Sequence, residues 1–226
     1  MALTLYLHPL ASFCHKVLIA FYESEVPFRA VTVDLQDPES AAPVRNAWPV
    51  GKIPLLRDED AGRAVPESSI IIEYVQARRP GPASLLPQDP DARLQARLWD
   101  RFFDQYVSVP MQKIVLDRLH PENARDPQGV AAARQTLDTA YAMIDERARR
   151  HDWAAGNAFT LADCAAAPAL FYAAIVHPFP PALDGLAAYF ERLLARPSMR
   201  RVLREARPYF GMFPYRDAMP ARFLQD

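Results

Sequence analysis

Leu5-Tyr6-Leu7-His8-Pro9-Leu10-Ala11-Ser12-Phe13-Cys14-His15-Lys16-Val17 changes period in its middle. Up to His8 it alternates, with Leu3, Leu5 and Leu7 on one face and Thr4, Tyr6 and His8 on the other, which predicts a strand. After Pro9 the spacing becomes helical from near Ser12, with Phe13, Val17 and Phe21 on the stripe that would lie against a sheet. A strand thus delivers a hydroxyl to the mouth of a helix. The first turn of a helix has N–H groups without intrahelical partners and a partial positive charge, so an anion placed there is stabilised.

Working outward, Phe28 to Val33 reads as a second strand, and a strand–helix–strand unit of this length implies a parallel pair with a right-handed crossover. Pro38 to Asn46 holds Pro43 and few apolar residues, which predicts an irregular or only briefly helical connection. In Gly51-Lys52-Ile53-Pro54 the proline precedes Leu55-Leu56, so it opens a strand where no ladder bond from its nitrogen is needed. It keeps Ile53 extended, with a backbone N–H and C=O left for a peptide-like ligand. Ile53 to Asp58 and Arg63 to Pro66 flank a polar turn with Gly62, as a hairpin would. A helix from Ser68 carries Ile71, Tyr74 and Val75 at helical spacing, completing a mixed α/β sheet covered by helices.

Residues 80–90 are rich in proline and read as a linker. Residues 91–226 read as all-helical. Leu94, Leu98, Phe102, Tyr106 and Val109 form one stripe of a long helix that Pro110 should kink. Val130, Leu137, Tyr141 and Ile144 mark another helix over about 128–150. Thr160 and Asp163 have capping-box spacing. Leu161, Cys164, Pro168, Phe171 and Ile175 follow amid alanines, as suits a helix at the centre of a bundle. Shorter helices are expected near 184–196 and 198–206. The tail holds Tyr209, Phe210, Phe213, Tyr215 and Phe223, too apolar to float free.

The 226 residues carry a net charge of −1 with acids and bases interspersed, and half of them are apolar. That favours a large buried core and argues against a nucleic-acid groove or a polybasic membrane patch. No secretory signal is visible, and no run approaches the ~20 apolar residues of a membrane span. Cys14 and Cys164 lie far apart without metal spacing, so both read as free thiols of a cytoplasmic protein. His8, His15, His120, His151 and His177 likewise show no ligand spacing, so no metal is expected.

S-x-x-x-K-V after a first strand, then N-x-x-x-x-G-K-I-P, then P-E-S-S, together resemble the glutathione-binding domain of the cytosolic glutathione transferases, and the likeness continues through the helical half. The resemblance implies a thioredoxin-like α/β domain over 1–79, the linker over 80–90 and an all-α bundle with an aromatic tail over 91–226. It implies that Ser12 hydrogen-bonds the thiolate of glutathione, a co-substrate. Lys52 would meet the glycyl carboxylate, Ile53 would pair with the cysteinyl backbone, Pro54 would be the cis-proline, and Glu67 and Ser68 would hold the γ-glutamyl end. Read from spacing alone, Ser12 serves equally well as a helix cap.

The expected reaction is attack of that thiolate on a small apolar electrophile between the domains, in a pocket walled by Leu10, Phe13, Phe103, Tyr106, Val107 and Met111. A homodimer is implied as well, with no nucleic-acid or membrane partner. In some relatives an acidic residue placed like Asp100 or Asp104 faces the partner's ligand; beside Arg97 and Arg101 both read equally as a solvated face. Other readings stay open: a thiol transferase or reductase using Cys14 as nucleophile, or a non-catalytic interaction protein on the same fold. The isomerase signature S-S-C-x-x-R of the zeta type is absent, A-S-F-C-H-K standing in its place.

Overall fold

The computed structural model describes residues 2–79, 81–82 and 84–225. Two positions of the expected linker, Pro80 and Ala83, and the termini Met1 and Asp226 lie outside the described residues. The first part runs β1 (Leu3–Leu7), α1 (Ser12–Glu23), β2 (Arg29–Thr32), α2 (Pro38–Ala47), β3 (Leu55–Asp58), β4 (Arg63–Pro66) and α3 (Ser68–Arg78). The sheet order is β2-β1-β3-β4, with β1 parallel to β2 and the remaining pairs antiparallel. This is the mixed sheet that the alternation and the crossover length implied, in the thioredoxin-like arrangement implied by the resemblance.

Leu3, Leu5 and Leu7 join Val17, Phe21, Ile71 and Val75 in the main core, because period-two leucines share one face of a strand. Phe13, the first residue of the expected stripe, stays half-exposed instead. On the other side of the sheet, Val33, Val44 and Leu55 form a small cluster with Tyr6 and Trp48 packed on it. That cluster explains why the connection expected to be irregular is a full ten-residue helix. Asp37 caps it by accepting from the Glu39 N–H at 3.0 Å, Pro38 sits in the first turn, and buried Ala41 and Val44 outweigh the ladder bond lost at Pro43.

The second part comprises α4 (Pro90–Phe102), a π-helical segment (Phe103–Ser108), α5 (Val109–Leu119), α6 (Pro127–Ala148), α7 (Leu161–Val176), α8 (Asp184–Ala195) and α9 (Pro197–Ala206). Where a kink at Pro110 was expected, the six residues Phe103–Ser108 just before it are π-helical. Of the expected stripe only Phe102 is buried, and Val109 is 47% exposed. Leu94 (63% exposed), Leu98 (55%) and Tyr106 (54%) face outward, and Ala96, Phe103, Val107 and Met111 face the core.

Helix α7 is central, with nearly every side chain buried. Its capping box is present: Asp163 accepts from the Thr160 N–H at 2.9 Å, and Thr160 Oγ1 accepts from the Ala162 N–H at 3.3 Å. The aromatic tail packs back on this helix, Phe210 and Phe223 against Phe171, and Phe213 against Tyr172. Among the described residues no helix is long and apolar enough to cross a membrane.

Candidate active site at the junction of the two halves

Ser12 opens α1, but the cap position belongs to Ala11, and no side chain caps this helix. The Ser12 hydroxyl is therefore not used as a cap. Its contact is the Gln112 side-chain amide, whose Nε2 lies 3.5 Å from Ser12 Oγ. The loop before Ser12 is braced from within. Buried His15 has its pKa pushed down by burial to about 4, so it is neutral, and its Nε2–H donates to the Pro9 carbonyl at 2.5 Å.

Two cavities meet near this hydroxyl. One, of about 240 Å³, is walled by Trp48, Lys52, Ile53, Pro54, Glu67 and Ser68 on the sheet side and by Arg101, Asp104 and Gln105 on the helical side. The second, of about 290 Å³, is walled by Leu10, Ala11, Ser12, Met111, Tyr172 and the tail residues Met212 and Phe213. Gln112 lines both. The Ile53-Pro54 peptide is cis. Glu67 sits at φ 68° just before α3, in a region that non-glycine residues occupy only where the surroundings over-determine them, typically at ligand-holding sites.

The expected electrophile pocket needs correction. Leu10 and Met111 line the second cavity, and Phe13 lines the first. Phe103 and Val107 are fully buried core residues, and Tyr106 points to the exterior, because the π-helical segment resets the helical register at Phe103. Sequence reasoning missed Gln112, Tyr172 and Trp48. The Trp48 indole N–H is buried without a partner in the first cavity's wall.

Cys14 is fully buried, and burial pushes its thiol up to about 12. A group this far from ionisation and from solvent lacks both requirements of a nucleophile. Cys164 is buried as well, its thiol pushed up by burial. Native protein treated with iodoacetamide at pH 8 should keep both thiols, and guanidinium should expose both. Mass spectrometry reads the outcome, and modification of native Cys14 would restore the thiol-transferase reading.

Asp100 and Asp104 do not lie on a solvated face; both are buried. Lys16, 1% exposed, places its Nζ 2.6 Å from Asp100 Oδ1 and 2.7 Å from Asp104 Oδ2. Ser69 completes the network, accepting from Lys16 Nζ at 2.8 Å and donating to Asp100 at 2.8 Å. Burial pushes the Asp104 carboxyl up, Lys16 opposes that, and the neighbouring Asp100 charge adds to it. The network stitches α1 and α3 to α4 and the π-helical segment, beneath the first cavity. Its signals in the sequence were a lysine inside an apolar helix and two aspartates four apart.

A larger cavity of about 640 Å³ lies away from Ser12, between α1, β2 and α9. Three of its polar side chains pair with one another: the Tyr22 hydroxyl donates to Glu205 at 2.6 Å, and Arg201 donates to Glu205 at 2.9 Å.

Comparison with known proteins agrees with this architecture. Residues 5–83 match the glutathione S-transferase N-terminal domain, and residues 106–197 match the glutathione S-transferase C-terminal domain. The chain belongs to the glutathione S-transferase family. A glutathione S-transferase from Methylobacterium radiotolerans, solved in complex with glutathione sulfonate, superposes with a TM-score of 0.78 at 31% identity over 89% of this chain and 94% of that one. The glutathione S-transferase GstB of Escherichia coli is 26% identical over 83% of this chain and 91% of its own. The FtsZ-localized protein A of Caulobacter vibrioides is 30% identical over 93% and 94%.

Proposed function

We propose that the protein is a glutathione transferase in which Ser12 holds the thiol of glutathione ionised for attack on a small, largely apolar electrophile. The observation that carries this reading is the meeting of a polar cavity and an apolar one beside a hydroxyl that no helix cap uses. The tripeptide lies in the first cavity along Ile53, within the 1–79 unit that precedes the 80–90 linker and the 91–226 helical unit. The Ile53 backbone pairs with its cysteinyl part, and cis Pro54 shapes that edge. Lys52 takes the glycyl carboxylate. Ser68 and the first turn of α3 take the γ-glutamyl carboxylate, and Glu67 takes the ammonium. The thiol gives its proton to water, and the sulfur's electron pair bonds the electrophilic carbon in the second cavity. The pair of that carbon's breaking bond goes to its leaving group or adjoining atom, which takes up a proton from water where it needs one. The reaction needs no metal, and cytoplasmic thiol pools supply the co-substrate.

Calorimetry with reduced glutathione tests the reading. Wild-type protein should bind it, and Glu67→Ala should weaken binding roughly tenfold, at the low end for a lost charge-assisted hydrogen bond. A flat titration of wild-type protein would remove the enzyme reading. It would favour the second one, an interaction protein like the relative named for its localisation to FtsZ, which is 30% identical over 93% of this chain.

The outward stripe of Leu94, Leu98, Tyr106 and Val109, with exposed Ile70 and Val50 on the sheet domain, supports a homodimer. Leu98→Glu should shift the sedimenting species from dimer to monomer. A wild-type monomer at micromolar concentration would rule the dimer out.

A further inference from the structure

The cavity of about 640 Å³ lies along an unpaired edge of the sheet. Strand β2 is terminal in the order β2-β1-β3-β4, and it is bonded only on the side toward β1. The Val33 N–H donates to the Leu7 carbonyl at 2.8 Å, so by the two-residue period Arg29 and Val31 also turn their backbone groups toward β1. Ala30 and Thr32 turn theirs the other way. Both residues are exposed, and among the described residues neither makes a backbone hydrogen bond on that side. Their side chains share a face with Leu5 and Leu7, their partners in β1, and are small where those are leucines, which leaves room beside them. Ala30 and Thr32 border the cavity from β2, Leu18 and Phe21 from α1, and Val202 and Ala206 from α9.

A row of free N–H and C=O groups is a template for one further strand, and natural sheets blunt such edges with charge, proline or short length. Strand β2 has only four residues and begins with Arg29, which limits pairing with unrelated chains, but it holds no proline. The charges beside the edge are unequally matched. Glu25, Arg201 and Glu205 are the charged residues lining the cavity, one base against two acids. Glu205 accepts from the Tyr22 hydroxyl and from Arg201, and Arg29 donates to Thr4 Oγ1 at 3.1 Å. Exposed Glu25 makes no side-chain hydrogen bond or ion pair among the described residues.

We infer that the β2 edge and this cavity bind an extended segment of another protein as a fifth strand. Its backbone pairs with Ala30 and Thr32, its apolar side chains enter the cavity, and a lysine or arginine meets Glu25. An extended backbone offers acceptors and donors at the two-residue spacing of that edge, as in recognition by strand addition. The apolar walls select aliphatic or aromatic side chains, and the unmatched carboxylate selects a cation. An acidic segment would meet both Glu25 and Glu205 and be repelled. The edge lies away from Ser12, so a bound segment leaves the glutathione reading untouched, and neither depends on the other.

The probe is a heptapeptide blocked at both ends, with lysine first and last and leucine alternating with threonine between. Hydrogen exchange followed residue by residue by NMR should show the Ala30 and Thr32 amides slowed roughly tenfold or more when the peptide is added. Thr32→Pro removes one free donor and spares the ladder to β1, since proline is tolerated where the N–H of an edge strand faces solvent. Calorimetry should show the peptide bound roughly tenfold more weakly by this variant, with the melting temperature and glutathione binding unchanged. Glu25→Gln should weaken the lysine peptide several-fold and leave a version with serine at both ends unaffected. No binding at millimolar peptide, protection of other amides instead, or equal affinity for Thr32→Pro would overturn the inference. Ala30 and Thr32 amides already protected in concentrated free protein would assign the edge to a second copy of this chain and overturn it as well. Should Thr32→Pro fail to fold, Ala30→Phe, which fills the cavity from the same strand, must weaken the peptide at least as much, and unchanged affinity there would sink the idea.

Discussion

Ser12→Ala is expected to raise the pKa of enzyme-bound glutathione by about one to two units, because one hydrogen bond to an anion contributes roughly 1.5–3 kcal/mol and each pKa unit is 1.36 kcal/mol. Free thiol titrates near 8.5, so the variant would hold only a few per cent thiolate at pH 7. The sign follows from which form the hydroxyl contacts. A donor to the thiolate stabilises the ionised state, and its loss moves ionisation to higher pH. At pH 7 the activity should therefore fall roughly 8- to 25-fold and recover as pH rises through the new pKa, following the thiolate fraction. Affinity for glutathione should barely change, since Lys52, Ile53, Glu67 and Ser68 hold the rest of the tripeptide in the proposed pose. The ultraviolet absorbance of the bound thiolate, titrated against pH, measures this directly. An identical titration in wild type and variant would leave Ser12 with no part in ionising the sulfur. Because α1 has no side-chain cap to lose, a fall in activity cannot be charged to helix unravelling.

Lys16→Met should cost about 3–5 kcal/mol of folding stability, the usual consequence of removing one partner from a buried ion pair. Two carboxylates would be left behind, Asp100 and Asp104, both buried and with only Ser69 and exposed Arg101 nearby. A shift in the midpoint of urea unfolding with unchanged slope reads this loss. The pH dependence supplies a second check. Asp104 already has a raised folded-state pKa, from burial first, with the Asp100 charge adding to it. Without Lys16 the Asp104 carboxyl should be pushed further up, so the folded variant binds protons more readily than the unfolded chain. Its stability then falls as pH rises above the ordinary carboxylate value and returns as pH is lowered toward it. The gap between wild type and variant should thus be widest at neutral pH and shrink in acid. Adding Asp104→Asn to the variant should recover part of the loss. A gap under about 1 kcal/mol at pH 7 would mean that water reaches the network and the burial argument fails.

The parts of the fold that follow from local rules were legible without coordinates. Strand β1 declares itself by alternating leucines, α3 by Ile71, Tyr74 and Val75, and α7 by its capping box and its alanines. In each of these, one face of a regular element carries the whole signal. The Gly51–Pro54 run and the Pro66–Ser69 run were read as ligand-facing, and both border the first cavity. What was read wrongly had a common source. Leu94, Leu98 and Tyr106 were turned inward because apolar residues on a helix are normally buried, and Asp100 and Asp104 were left to solvent. The structure does the reverse. The hidden term was Lys16: a lysine buried in α1 must be matched by carboxylates. Drawing Asp100 and Asp104 inward turns the leucines on the opposite side of α4 outward. Phe103 and Val107 moved from the pocket list to the core for a related reason, since six residues of π-helix break the 3.6 period on which the assignment rested.

By itself, the sequence determined the order of elements, the sheet-plus-bundle division and the hydroxyl at the mouth of the first helix, because each depends on residues within a few turns of one another. Only the tertiary structure decided which face of α4 is inside, that Cys14 is sealed in the core, and that Gln112 and Tyr172 share a cavity with Ser12. Those facts join residues more than 80 positions apart, and burial and charge pairing between such residues are properties of the packed chain. No local periodicity encodes them.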